Sequence, residues 1–347
     1  MTLESTAAAQ RAFAHRAITH HHGQLRVQVF AAEGHKIFHV MDPSLSRKIL
    51  TSRNFWVDNY FSPGLERLEK HGEDLYWIKA FFSQGLLFRD GLAHQADKKQ
   101  FHRVLTQLDA ELVALQPRFE RYLAKRRTII GSAHQFSDQF TRVCVGWMVF
   151  RLTGIPLARV LRSMRLRCNI WLPYFHPTRL RKVNQSFEVL YAGSKAPNNG
   201  QDGWTEHLIA QSLLVMGLDP LAGSIAASLV EGVTLDFARD VYRFCPTSFV
   251  TRMCIRDCFI EDLAFREGDV CLTSLLPEAA GTVSPAAGAR GSHKASVAFG
   301  AGVHSCIGKS ISLTILGIAE KIYKAQFAHG FPNPSRLACD GAFLGFR

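Results

Sequence analysis

Phe299-Gly300-Ala301-Gly302-Val303-His304-Ser305-Cys306-Ile307-Gly308 decides the reading of this chain. It sets one cysteine after a glycine-hinged turn and before an apolar pattern of helical period. Ile307, Ile311, Ile315, Ile318 and Ile322 form the stripe, Lys321 and Lys324 lie off it, and Gly330 and Pro332 end it. The spacing predicts a helix over 306–326 with Cys306 at its amino end. Unpaired N–H groups and the positive dipole end at such a place lower a thiol's pKa and stabilise the thiolate that holds a metal. Gly300 and Gly302 allow a tight turn and close approach to a flat ligand. Gly308 removes bulk where the helix would graze that ligand, and His304 can reach an acidic group at the ligand's edge. The bland alternative is a buried structural cysteine on a glycine-rich turn.

These residues resemble the haem-binding signature of the cytochrome P450 superfamily, the haem-thiolate monooxygenases: Phe, Gly, any, Gly, any, His or Arg, any, Cys, any, Gly. Every constrained position is filled. The resemblance implies haem b, with Cys306 as the proximal iron ligand and Phe299, Gly300, Gly302, His304 and Gly308 around it. Thiolate ligation pushes electron density onto iron and favours O–O cleavage.

Further stations follow in the family's order. Asp240-Val241-Tyr242-Arg243 resembles its E-x-x-R helix, with Asp for the usual Glu; the spacing puts acid and Arg on one face as a structural pair. Arg252 resembles the arginine that grips a haem propionate through a bidentate fork. His94 and Lys98, four apart on one helix face, resemble the second propionate site, with Lys for the usual Arg. On their own, these two pairs would read as solvated helix faces. Leu213–Gly223 resembles the distal helix, whose family pattern is (Ala/Gly)-Gly-x-(Asp/Glu)-Thr. Gly217 and Asp219 match, and the resemblance gives them the catalytic proton-delivery positions. The threonine, however, is Pro220. Proline has neither hydroxyl nor N–H and bends a helix. Asp219-Pro220 also reads as a helix start, with Asp as cap and Pro in the first turn. A helix broken beside the haem and restarted at Asp219 would satisfy both readings.

The 347 residues, 47% hydrophobic and 11% aromatic, suit one large core. The fold class expected is mainly α with small β-sheets (α+β): an extension over 1–24, then one P450-like domain over 25–347, shortened in the distal region between Pro156 and Gly217 and between Asp219 and Asp240. A hairpin is predicted over Arg26–Ala31 and Lys36–Met41, followed by a helix capped at Asp42-Pro43. Other helices are expected at about 94–125, 134–153, 205–230 and 236–244. Gly154-Ile155-Pro156 resembles a turn common in bacterial members. Loops are expected at 192–202 and 278–292.

The eight cysteines are scattered, and apart from Cys306 they read as buried thiols of a reducing compartment. The close pair Cys254 and Cys258 lacks partners for zinc, and His20-His21-His22 reads as a polar stretch. No apolar run of membrane-spanning length lacks a charge or proline, and Met1–Ile18 has no apolar signal region, so a cytoplasmic protein without a membrane span is expected. The net charge of +12 comes without a nucleic-acid motif. The resemblance gives the charge another use, docking an acidic ferredoxin or flavodoxin at Lys98, Lys99, Arg103 and Lys309. Phe55, Trp56, Phe61, Trp77, Phe81, Phe82, Trp171 and Phe175 suggest an aromatic or lipophilic small-molecule substrate, although aromatics are usually core.

The function expected from the resemblance is oxidation of a small organic, secondary-metabolite type of substrate by a haem-thiolate oxidoreductase, using O2 and electrons from a redox partner. Pro220 favours an enzyme of the same fold with peroxide-driven, coupling or rearrangement chemistry. The short distal region and Asp240 favour a degenerate binding or scaffold module.

Overall fold

The computed structural model describes residues 26–57 without 33, 66–166 without 67, 71 and 73, 177–192, 203–231, 236–242, 247, 249–275, 296–333, 337–340 and 343–346. The extension over 1–24, the histidine run, Phe61, Trp171, Phe175, Arg243 and almost all of both expected loops fall outside them.

Strands β1 (Val27–Ala32) and β2 (His35–Val40) pair antiparallel, with Ala32 opposite His35. The hairpin turn uses Gly34 at φ +88°, a conformation that favours glycine. Helix α1 (Pro43–Thr51) starts as expected: the Asp42 carboxylate accepts from Leu45 N–H at 2.7 Å and Pro43 enters the first turn. A two-residue strand β3 (Phe55–Trp56) and helix α2 (Tyr76–Gln84) follow. Helix α3 (Gly91–Ala124) carries His94 and Lys98 in its second and third turns. Helix α4 (Ala133–Thr153) is capped by Ser132 and ended by Gly154 at φ +67°. Pro156 then opens α5 (Leu157–Arg165), and α6 (Pro177–Leu190) comes next.

The distal stretch departs from expectation. It does not break at Asp219-Pro220. Helix α7 (Trp204–Ser212) widens into a π-helical turn at Leu213–Gly217 and continues as α8 (Leu218–Glu231). Leu218 N–H donates to the Leu213 carbonyl, five residues back. A proline in a regular helix meets the carbonyl four residues earlier, here Met216. That carbonyl belongs to the π turn, whose looser winding accommodates the ring. Only 232–236 lie between α8 and the single turn α9 (Phe237–Asp240), which is shorter than the expected 236–244.

Strands β4 (Phe249–Cys254), β5 (Cys258–Ile260), β6 (Leu263–Phe265) and β7 (Val270–Ser274) complete the sheets before helix α10 (Lys309–Gln326) and the hairpin β8 (Leu337–Asp340), β9 (Phe343–Phe346). The main sheet runs β1-β2-β7-β4-β3, parallel only between β2 and β7. The architecture is mainly helical with small sheets, as the sequence predicts. Trp204–Val230 and Gly302–Gln326 are long and apolar enough to cross a membrane by length and composition. In this fold α7 and α8 pack on α4, and α10 packs on α3.

The helical core closes around Phe136, which is fully buried. Its ring meets those of Phe140, Tyr323 and Phe327, the last at 5.1 Å, and so joins α4 to α10 and the segment after it. Phe136→Ala removes a ring from a close-packed site and should cost about 3–5 kcal/mol. The urea midpoint of unfolding should fall accordingly.

Candidate cofactor site

Gly300 and Gly302 both adopt φ +70°. A Cβ on Gly302 would overlap the Leu50 carbonyl, so the loop lies hard against the end of α1. A short 3-10 turn at Gly302–His304 follows. Cys306 N–H then donates to the Phe299 carbonyl at 2.7 Å and closes the loop on itself. Regular helix begins only at Lys309, with Gly308 as cap, and not at Cys306. Cys306 therefore stands just ahead of α10, and the Gly308 N–H reaches its sulfur.

The expected lowering of the thiol pKa does not occur in the chain by itself. Although Cys306 is open to the cavity, desolvation by the protein atoms packed around its sulfur pushes the thiol above its ordinary value, against the pull of Gly308 N–H, Lys98 and Lys309. The helix-start N–H groups and the cations act in the expected direction, but desolvation of the sulfur outweighs them.

Around the loop stand the residues expected at a cofactor's edge. His94 is buried on α3; its Nδ1 lies 3.0 Å from the Leu86 carbonyl and its Nε2 3.1 Å from that of Val303. Lys98 donates to the Val303 carbonyl at 2.5 Å. Its pKa is lowered by burial, with Cys306 opposing. Arg252 on β4 is buried and donates to the Thr251 carbonyl at 2.7 Å. Burial lowers its guanidinium to about 10, with Asp90 opposing. The His304 ring packs on His94 at 4.3 Å, and its Nε2 lies 2.7 Å from Asp90 Oδ1. Its Nδ1 is buried without a hydrogen-bond partner. Burial also lowers the His304 pKa, although Asp90 opposes this.

These groups share one cavity of about 320 Å3, within the range of ligand pockets. Phe299, Gly300, Cys306, Gly308, His94, Lys98, Arg252 and His304 line it, together with apolar side chains of α3 and α10. The distal helix contributes Gly217, Pro220, Leu221 and Ser224, spaced as one helical face. Asp219 lies off that face and does not line the cavity. Asp240 is buried at the end of α9 and does not itself line the cavity, although its neighbour Val241 does. Of the expected substrate aromatics that are described, none lines the cavity. Phe81 and Phe82 pack on Phe88, Trp77 stacks on Tyr191 at 4.8 Å, and Phe55 packs on Phe265. They are core, which is where most aromatic area goes. Of the expected docking cations, Lys99, Arg103 and Lys309 are exposed, whereas the Lys98 amine is turned in to the loop carbonyls.

The sequence reading missed Asp90 and Ser224. Asp90 carries a carboxylate into a cluster of cations; a motif of His94 and Lys98 gives no sign of it. Ser224 lies one turn beyond Pro220, and its hydroxyl donates to the Pro220 carbonyl at 2.9 Å.

A flat, iron-bearing dicarboxylate fits this lining. A cysteine sulfur stands in a mostly apolar slot, and the cations Arg252 and Lys98 share the wall with a histidine nitrogen that has no partner. Gly302→Ala forces a side chain into a left-handed backbone against the Leu50 carbonyl and should cost about 2–4 kcal/mol, read as a lower denaturant midpoint. In the haem-free protein, Lys98→Met removes a cation that favours the Cys306 thiolate. Iodoacetamide labelling of the Cys306 peptide at pH 8.5 should slow, as read by mass spectrometry.

No family model matches the chain, and no curated protein matches it. Solved structures do. The cytochrome P450 PksS of the Bacillus subtilis 168 bacillaene polyketide synthase is 13% identical, over 99% of this chain and 96% of that one, with a TM-score of 0.62. The cytochrome P450 enzyme CxnD, for C–S bond formation in chuangxinmycin biosynthesis, is 15% identical over 98% and 92%, with a TM-score of 0.67. OxyC, a cytochrome P450 implicated in an oxidative C–C coupling reaction during vancomycin biosynthesis, is 16% identical over 97% and 92%, with a TM-score of 0.64. From the Cys306 loop to the distal helix, this chain has the cytochrome P450 fold.

Proposed function

We propose that the protein is a haem-thiolate oxidoreductase acting on a small apolar organic molecule. One observation carries this reading: the Cys306 sulfur, fixed by a self-closed loop, opens into an apolar cavity whose wall also bears Arg252, Lys98 and His304. Bound haem b would supply electron-transfer and oxygen chemistry, made more electron-rich at iron by the thiolate.

The chain's own residues have distinct tasks. Cys306 would hold the iron as a thiolate, and metal binding generally favours loss of a ligand thiol's proton. Arg252, Lys98 and the unpartnered His304 nitrogen would hold the two carboxylates of the cofactor, with His94, whose ring nitrogens face the Leu86 and Val303 carbonyls, packed beside them. Gly217 and Pro220 form the opposite wall, where a substrate meets a surface without charged groups. Apolar lining there favours a lipophilic guest by excluding water. Lys99, Arg103 and Lys309, exposed near the cysteine side, suit an acidic electron carrier, whose docking would weaken with salt.

A second reading concerns the reaction. Pro220 brings no hydroxyl to the distal wall, and Asp219 lies off the cavity. Both favour chemistry other than ordinary monooxygenation. The C–S bond formation and oxidative coupling named for two proteins of this fold are reactions of that sort.

The test is spectroscopic. The full chain expressed with ample haem should bind it and give the strongly red-shifted Soret band of a reduced, CO-bound haem-thiolate. Cys306→Ser should lose that band. A colourless wild type, or an unchanged spectrum in the variant, defeats the reading. Turnover with peroxide but not with ferredoxin and NAD(P)H would favour the second reaction class, and Pro220→Thr should raise O2 use coupled to product if Pro220 stands at the oxygen side.

A further inference from the structure

Asp90 occupies the cap position of α3, where an aspartate side chain usually accepts from the first N–H groups of its own helix. It makes no such bond. Its carboxylate turns away instead. Oδ2 accepts from Val57 N–H at 2.9 Å, and Oδ1 meets His304 Nε2 at 2.7 Å. Both side chains are almost fully buried, His304 at 2% and Asp90 at 4% exposure. Arg252, on β4, is near enough to interact with it by charge. The neighbouring Arg89 is engaged with Asp97 at 2.6 Å, which leaves Asp90 to the inner cluster. One carboxylate thus joins three separate segments: the chain after β3, the start of α3 and the Cys306 loop.

A forgone helix cap costs on the order of 1 kcal/mol, and a buried carboxylate costs more unless it is paired and hydrogen-bonded. The arrangement is therefore maintained by what it holds. The held object is the His304 ring, two residues before the sulfur ligand, pinned by Asp90 on one nitrogen and by His94 on its face.

We propose that Asp90 is a positioning residue for the cofactor site: it fixes His304 and the loop that bears Cys306 before haem arrives, and it remains beside the bound haem as a third, protein-borne carboxylate. The inference rests on the haem reading above. It has two separable consequences. As an anchor, Asp90 keeps the loop in its closed form even in the haem-free chain. As a fixed negative charge in a region of low dielectric, it opposes the gain of an electron by the nearby haem.

Two variants separate these consequences. Asp90→Asn keeps the shape and an oxygen for Val57 N–H but removes the charge. Asp90→Glu keeps the charge but displaces it by a methylene. In the haem-free full chain, hydrogen exchange over residues 299–308 should quicken in both variants, since each loses the charged 2.7 Å contact, while exchange in α4 stays as in the wild type. In the haem-loaded chain, spectroelectrochemistry should show the reduction potential of Asp90→Asn shifted positive and that of Asp90→Glu close to wild type. Haem transfer to an acceptor globin should be faster from both variants. Unaltered loop exchange overturns the anchoring role. An Asp90→Asn potential equal to the wild type, with haem bound in both, overturns the electrostatic role while leaving the haem reading intact. A wild type that takes up no haem defeats that reading and this inference with it. Should Asp90→Asn not fold, normal loop exchange and normal haem retention in Asp90→Glu would still overturn the anchor.

Discussion

The bond from Cys306 N–H back to the Phe299 carbonyl is the constraint on which the site depends. It fixes the direction in which the sulfur leaves the chain. One hydrogen bond contributes only about 0.5–1.5 kcal/mol net, too little to hold a loop of this length alone. The loop is held because others converge on it. Gly302 lies flush against the Leu50 carbonyl, and the Val303 carbonyl receives Lys98 and lies 3.1 Å from His94 Nε2. These contacts come from two separate helices, so α1 and α3 must both be in place before the sulfur is. The position of the sulfur is thus a tertiary property, although the residues of its loop are adjacent in sequence.

That distinction governs what could be read from the residues alone. The glycine hinges were legible because positive φ leaves few choices of side chain. The long helices were legible because their apolar stripes repeat at the helical period, and α1 because Asp42-Pro43 carries both halves of a start signal. The Asp90–His304 contact was not legible, since it joins positions 214 residues apart and neither belongs to the other's motif. Nor was the thiol's raised pKa: the local helix-end effect was read correctly in sign, but desolvation depends on everything packed around the sulfur. Phe55, Trp77, Phe81 and Phe82 suggest a substrate pocket by their place beside expected loops, but packing takes them into the core, while Trp56 lies exposed. Asp219 illustrates a third limit. A motif position places a residue along a helix but not around it, and the π turn at Leu213–Gly217 resets that rotation.

The same π turn reconciles two demands on the distal helix. Its stretch must stay helical, because it packs on α4 as part of the core. It must also accept a proline where N–H groups would continue the ladder. Spending one additional residue on a wide turn leaves α7 and α8 as one continuous rod and presents Gly217, Pro220 and Ser224 on one face. The distal helix accordingly lines the cavity without any charged side chain.

The polar side of the cavity obeys a different accounting. Arg252 is buried deeply enough for its pKa to fall to about 10, and its guanidinium has five N–H donors, one of which goes to the Thr251 carbonyl. Lys98 is drawn inward against its own desolvation, and His304 keeps a buried nitrogen without a partner. Against these donors the described lining residues include no carboxylate; Asp90 stands behind the wall and answers His304. Buried cations persist when anions accompany them. A cluster with this surplus of donors is built for a ligand that brings negative charge of its own. Among flat ligands that a cysteine sulfur can also hold, a metal porphyrin with carboxylate arms supplies both requirements at once.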